Sequence, residues 1–214
     1  LLSEIFFLPA NFNRIAPFYD TLAFLVFGRR LMEAKKAFFP LIPDQARILL
    51  LGGGTGNILN DLLNSKPAVT IDYVEPSQHM LDIAAKHLLS EFGARMNFIC
   101  GDEHQVPQNA NYDVCTSFFV LDCFTQSHAR DFAQIVTSTL KPDGLWLFAD
   151  FFPARNAFQQ VLTVAMYGFF AMVSSLEARV IPDYAGVFDD CGFTAVHEME
   201  LMNGFIRSMV LKRK

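Results

Sequence analysis

The stretch from Ile48 to Leu63, ILLLGGGTGNILNDLL, constrains the fold of this chain more than any other. An apolar run enters a turn in which Gly52, Gly53, Gly54 and Gly56 surround Thr55, and the apolar spacing then resumes with the period of a helix. Without a Cβ, glycine lets the backbone take φ > 0 and approach another group closely. A strand, a turn kept free of side chains and a helix therefore follow one another, and the turn is a backbone cradle.

The rest of the chain repeats this plan. After the strand ARILLLG and a helix from about Gly56 to Asn64 comes VTIDYVE, a second strand ending at Glu75. PSQHMLDIAAKHLLSEF opens with Pro76 and a Ser77 cap, with Met80, Leu81, Ala84 and Leu88 as its inward stripe. MNFICGD, YDVCTSFF and GLWLFADFF are further strands, the last two separated by a helix from about Ser127 to Leu140. Repeated β–α units imply a mostly parallel sheet covered by helices on both faces. A short helix around Tyr184 to Cys191 then precedes FTAVHEME and FIRSMVLKR, whose connecting turn is too short for a crossover helix. Those two strands pair as an antiparallel hairpin. The expected architecture is an α/β, Rossmann-like sheet of seven strands in one domain. Residues 1–44 form an N-terminal helical cap, 45–152 the cofactor-binding core, 153–192 a helical lid and 193–214 the hairpin.

Composition limits the partners. The formal net charge of −5 gives no general attraction for phosphate backbones, so nucleic acid is excluded as the main partner in favour of a small molecule. Cys100, Cys115, Cys123 and Cys191 form no CxxC pair, and the histidines show no metal-ligand spacing, so no metal is expected. The cysteines read as reduced thiols of a cytoplasmic protein. The chain begins with Leu rather than Met, and LLSEIFFLPA lacks both the basic start and the cleavage site of a signal peptide. From Asn156 to Leu176 no residue is charged, a length that suits a bilayer span. Yet Phe158, Val161, Leu162, Ala165, Phe169, Met172 and Val173 recur at helical spacing, with Gln160, Thr163, Tyr167 and Ser174 opposite. The expectation is a buried or substrate-covering helix with that apolar row inward.

In an open α/β sheet the ligand lies beyond the carboxyl ends of the strands, where the strand order reverses. The glycine turn, Glu75, Asp102 and Ser117 all fall there. An acidic residue ending the second strand can accept two hydrogen bonds from ribose hydroxyls, so the cradle expects a nucleoside. A dinucleotide-binding oxidoreductase would need a third glycine where Asn57 stands.

Taken together, LLLGGGTGN, YVEPSQHML, ICGDEHQVP and LKPDGLWLFADF resemble, in order and spacing, the motifs of the class I S-adenosylmethionine-dependent methyltransferases. Within that class, NFNRIAPFYDTLAFLVFGRRL is similar to the N-terminal helical segment of the ubiquinone and menaquinone biosynthesis C-methyltransferases. The loop FFVLDCF departs from their pattern. The resemblance implies that S-adenosylmethionine is the cofactor and that the backbone around Gly52, Gly53, Gly54, Thr55 and Gly56 approaches its amino-acid part. It implies that Glu75, followed by Pro76, binds the ribose, Asp102 the adenine amino group and the Glu103 N–H the ring, with Met80 as an apolar wall. Ser117 and Phe118 complete the cofactor-binding set.

The chemistry implied is modest, because a sulfonium already makes its methyl group electrophilic; positioning and water exclusion suffice, and a base is optional. Tyr19, Asp122, His128 and Tyr167 are the candidate bases, and the sequence does not choose among them. Phe118, Phe119, Phe124, Phe151, Phe152, Tyr167, Phe169 and Phe170 suit a small apolar or aromatic acceptor. The lid helix and the N-terminal helix around Tyr19 are expected to roof that acceptor pocket and to make weak membrane-surface contact, aided by Arg29, Arg30, Lys35 and Lys36. The other two functions that fit the cradle are a nicotinamide-dependent oxidoreductase and a non-catalytic nucleoside-binding protein.

Overall fold

A computed structural model describes residues 26–107, 111–173 and 180–214. Tyr19 and most of the expected N-terminal cap lie outside the described residues, as does the end of the expected lid helix at 174–176. The seven strands are β1 (Arg47–Leu51), β2 (Thr70–Glu75), β3 (Met96–Cys100), β4 (Tyr112–Phe118), β5 (Leu140–Phe151), β6 (Phe193–Leu201) and β7 (Ile206–Arg213). They form one sheet in the order β3-β2-β1-β4-β5-β7-β6. The first five run parallel, and β7 lies antiparallel between β5 and β6. The expected fold class is therefore the one observed.

Both faces of the sheet are covered, which is why its central strands read as unbroken apolar runs. Ile48 and Leu50 of β1 enter one core, with Tyr73, Val114 and Val210. Leu49 and Leu51 enter the other, with Cys115, Trp146 and Phe148. On the first face pack α1 (Arg30–Lys36), α2 (Leu59–Ser65) and α3 (Gln78–His87); Ala34 of α1 is fully buried, and its carbonyl accepts the Ser208 hydroxyl at 2.8 Å. The second face carries α4 (Gln126–Thr139) and α6 (Tyr184–Asp190). The Ser77 cap is present, accepting the Met80 N–H at 3.2 Å, and Met80, Leu81 and Ala84 are buried beneath it.

Two expectations are corrected. α2 starts at Leu59 rather than near Gly56, because Gly54 (φ +62°) and Gly56 (φ +71°) are left-handed and cannot join a right-handed helix. In α5 (Ala157–Val173) three members of the expected inward row face outward, with Phe158 65% and Val161 67% exposed and Ala165 exposed beside them, while Leu162 packs inward as expected. Beside Leu162 the half-buried inner side includes Thr163 and Tyr167, which were expected opposite, together with Met166 and the buried Gln159. The side chains of Phe169, Met172, Val173 and Ser174 lie outside those described. The reason is what α5 covers: Gln159 must donate to the Met202 carbonyl at 2.7 Å and accept the Arg155 N–H at 2.6 Å, and Tyr167 must donate to the Asp122 carbonyl at 3.3 Å. Backbone polar groups under a helix select polar side chains over them. Among the described residues no helix is long and apolar enough to cross a membrane.

At the opposite end of the sheet one carboxylate ties four strands together. Asp72 of β2 accepts Arg47 of β1 at 2.7 Å, Asn97 of β3 at 2.8 Å and the Tyr112 hydroxyl of β4 at 2.7 Å. Burial alone would raise its carboxyl, but these three bonds outweigh it and hold Asp72 below the usual range. At the far edge, β6 is exposed over most of the stretch between Phe193 and Leu201 and shifts register between Ala195 and His197. Asp72→Ala removes the acceptor from the buried Tyr112 hydroxyl and the Arg47 guanidinium. It should lower the unfolding free energy by about 3 kcal/mol, read from urea denaturation.

Candidate functional site

The chain leaves β1 toward β2 on one side and leaves β4 toward β5 on the other, so the strand order reverses between β1 and β4. The glycine turn lies at the mouth of that crevice. Its glycines answer to different neighbours. A Cβ on Gly53 would lie 2.1 Å from the Tyr73 ring, and one on Gly52 or Gly56 would meet Val120 at 2.5 Å or Ala84 at 2.7 Å. These three are glycine because the protein's own side chains fill the space. Gly54 differs: a Cβ there would meet only the Met80 sulfur, at 3.8 Å, so its left-handed backbone remains open to a ligand. Thr55 beside it is buried.

Glu75 closes the next strand and is 4% exposed. One carboxylate oxygen accepts the Gly54 N–H at 2.9 Å and the other accepts the Ser77 N–H at 3.0 Å, past the exposed Pro76. Burial outweighs those two bonds and raises its carboxyl above the ordinary value. A carboxylate offers about four acceptor positions, so one position per oxygen is left for a pair of neighbouring hydroxyls. With Met80 buried beneath Gly54, the residues present fit a nucleoside.

Asp102 and Glu103 follow β3. Asp102 is exposed and caps the short 3-10 turn Glu103–Gln105: its carboxylate accepts the His104 N–H at 2.9 Å, and Gln105 accepts the Asp102 N–H at 2.8 Å. Glu103 turns inward to His128 at 2.7 Å, and the His128 ring stacks on Phe124 with centroids 3.8 Å apart. Burial raises Glu103, but His128 and the Glu103 N–H more than offset it and leave the carboxyl below its ordinary value. A carboxyl lowered in the folded state stabilises the fold above its unfolded value, here 4.5, and that contribution is lost as pH falls through the lower folded value. Wild type and His128→Ala should therefore differ in unfolding free energy at neutral pH and converge well below pH 4.5, as followed by denaturation at several pH values.

The ends of β4 and β5 hold groups of another kind. Ser117 is buried and its hydroxyl accepts the Trp146 indole N–H at 2.9 Å, while Phe118 lies in the core. Asp122 lies in the turn Leu121–Cys123, 6% exposed, with its carboxyl pushed up to about 6 by burial. Asp150 of β5 is wholly buried and accepts the N–H groups of Val120, Leu121, Asp122 and Phe151. Tyr184 brings a buried hydroxyl with no partner among the described residues. Of the four candidate bases, Asp122 and Tyr167 come together, His128 is engaged with Glu103, and Tyr19 lies outside the described residues. Sequence reasoning missed Asp150 and Tyr184. The signal for Asp150 was an acid inside the apolar run LFADFF, where a charge needs a special reason to be buried. Of the expected aromatic wall, Phe118 and Phe151 lie in the core, Phe119, Phe124 and Phe152 pack against it, and the side chains of Phe169 and Phe170 lie outside those described. Among the described residues no cluster of His, Cys, Asp or Glu is arranged to hold a metal ion.

Residues 48–144 match the family model of a methyltransferase domain. The chain is 36% identical over 118 residues to a malonyl-[acyl-carrier protein] O-methyltransferase of Halalkalibacterium halodurans, covering 51% of this chain and 41% of that protein. It is 27% identical over 125 residues to the mitochondrial 2-methoxy-6-polyprenyl-1,4-benzoquinol methylase of Caenorhabditis elegans, covering 56% of this chain and 43% of that one. It thus spans less than half the length of these relatives. In fold it is similar to the solved mitomycin 7-O-methyltransferase, with a TM-score of 0.70, 16% identity, and 95% of this chain and 61% of that chain covered. The glycine turn and Glu75 both fall within residues 48–144, the part of the chain that matches the methyltransferase domain model, and the sheet that presents them has the fold of the solved mitomycin 7-O-methyltransferase.

Proposed function

We propose that this protein transfers a methyl group from S-adenosylmethionine to a small acceptor with an apolar or aromatic body. The observation that carries this reading is Glu75: a buried carboxylate with one acceptor position open on each oxygen, beside the open backbone of Gly54. S-adenosylmethionine supplies a sulfonium-activated methyl group when bound. In this reading Glu75 holds the ribose, Asp102 the adenine amino group and Met80 the underside of the nucleoside. Gly52, Gly53, Gly54, Thr55 and Gly56 shape the backbone near the amino-acid part, and the Glu103 N–H faces the base. His128 acts through Glu103 as a brace for that loop rather than as a base. The nicotinamide alternative loses support, because Asn57 occupies the third-glycine position and the family match is to methyltransferases.

The acceptor lies between the ends of β4 and β5 and beneath α5, where Phe119 and Phe151 face each other at 5.0 Å and Tyr167 reaches Asp122. The protein's work there is to hold the acceptor in line and to keep water out. The net charge argues for a small molecule over nucleic acid. The scattered thiols fit a reducing, cytoplasmic setting. The outward row Phe158, Val161 and Val164 is where weak contact with a membrane surface would occur.

Calorimetry tests the cofactor. S-adenosylhomocysteine should bind at about −7 to −8 kcal/mol, in the micromolar range, and NAD should not compete with it. Tight NAD binding overturns the reading. Glu75→Ala should weaken S-adenosylhomocysteine by about 1.5–3 kcal/mol, and an unchanged affinity removes Glu75 from the site. Asp102→Ala should weaken it too, while an analogue lacking the adenine amino group should lose little further on going from wild type to variant.

A further inference from the structure

We propose that Asp122 and Asp150 act as one proton acceptor for a neutral hydroxyl group on the methyl acceptor, with Asp150 positioning Asp122. This rests on the methyl-transfer reading above and narrows its acceptor. The two acids are neighbours, the Asp122 N–H donating to the Asp150 carboxylate at 3.3 Å, and both are buried, so the charge of one opposes ionisation of the other and the pair keeps one proton. Asp150 is fixed in place. Leu121 donates its N–H at 3.0 Å, Val120 and Asp122 donate at 3.3 Å, all to one oxygen, and Phe151 donates at 2.8 Å to the other. A carboxylate so held cannot swing toward a substrate, so the member free to do so is Asp122, in the turn beneath Tyr167.

The Tyr184 hydroxyl, which has no partner among the described residues, independently points to a ligand at this place. Tyr184 is 2% exposed, and its hydroxyl lies near Asp150, Asp122, Tyr167 and Cys123. A buried donor without an acceptor costs free energy in the empty protein, so a polar atom brought by a ligand or its water is the natural partner. Among the described residues, the groups that face Asp122 are Asp150 from β5, Cys123 from its own turn, Tyr167 from α5 and Tyr184 from α6, and none of these is a cation. A singly protonated pair is an anion, so it repels a carboxylate acceptor and favours an uncharged O–H.

The step balances without a further reactant. The acceptor O–H bond breaks toward the Asp122 carboxylate while a lone pair of that oxygen forms the O–CH₃ bond. The electron pair of the S–CH₃ bond stays on sulfur, so the sulfonium becomes a neutral thioether and the carboxyl pair becomes neutral with two protons. The second proton then leaves to water. Because the base must be free of that proton, activity should be present above pH of about 6 and lost as pH falls through it.

The test uses the full protein with S-adenosylmethionine carrying a labelled methyl group. Simple phenols and benzoates of matched size are the acceptors. Phenols should be methylated at least about tenfold faster than benzoates, and Asp122→Asn should lower kcat by about 100-fold. Asp150→Asn should lower kcat by about tenfold or more and move the acid limb of the rate profile, because that step belongs to the pair. Carboxyl ¹³C NMR of the cofactor-free protein gives a second readout: Asp122 should titrate near pH 6 and shift in Asp150→Asn. If Asp150→Asn does not fold, Asp122→Asn and its effect on the Asp150 signal carry the test. Faster transfer to benzoates, no transfer to any phenol, or an acid limb and Asp122 signal that ignore Asp150 overturns the proposal. S-adenosylhomocysteine calorimetry on the same samples separates the two readings: binding with those outcomes defeats only the hydroxyl acceptor, and no binding defeats the methyltransferase reading itself.

Discussion

The contact on which the site depends is the one between Gly52 and Val120. β1 and β4 lie side by side, but the chain leaves them in opposite directions, so the two turns that follow must pass each other at their roots. Val120 fills the space where a Cβ on Gly52 would stand, 2.5 Å from its own methyl carbon. With the turns set against each other, the crevice is divided: the glycine turn and Glu75 stand on the side of β1 and β2, and Asp122 and Asp150 on the side of β4 and β5. Tyr73 enforces the same order from below, with its ring under Gly53 and its hydroxyl donating to the Gly54 carbonyl at 2.8 Å. The left-handed backbone of Gly54 is thereby presented upward.

The two ends of the sheet treat buried carboxyls in opposite ways. Asp72 meets a guanidinium, an amide and a phenol, all donors from neighbouring strands, and it stays ionised and serves cohesion. Asp150 meets backbone N–H groups and a second acid, and burial together with the charge of Asp122 pushes it up. One residue type thus supplies an ion-pair anchor at one pole and two adjacent buried acids at the other. The difference lies in the partners: a cation repays desolvation, whereas a like group leaves it uncompensated.

The sequence made the architecture legible because burial on both faces gives the central strands continuous apolar runs, and the short link between the last two strands left them one pairing. Glu75 and the glycine turn were legible for the same topological reason. The start of α2 was not, since glycine says that a left-handed φ is available without saying which residue uses it. The face of α5 was misread because periodicity records only which residues are alike. It does not record that the surface beneath them presents the Met202 and Asp122 carbonyls and the Arg155 N–H as well as apolar core. Asp150 and Tyr184 were missed because they are distant in sequence and single in type, and only the closed sheet with α6 against it brings them beside Asp122.

The outer strand β6 has a consequence for how copies of this chain meet. An open sheet edge is a template on which another strand can add, and a straight edge with apolar side chains invites it. Here the register shift between Ala195 and His197 breaks the ladder partway along. Glu198 and Glu200 are held in ion pairs by Arg207 of β7, and Arg155 reaches Glu200 from the other side. A strand approaching this edge would find a discontinuous row of backbone groups and would have to disturb a network of charges, so the hairpin that ends the sheet also discourages its growth into a fibre.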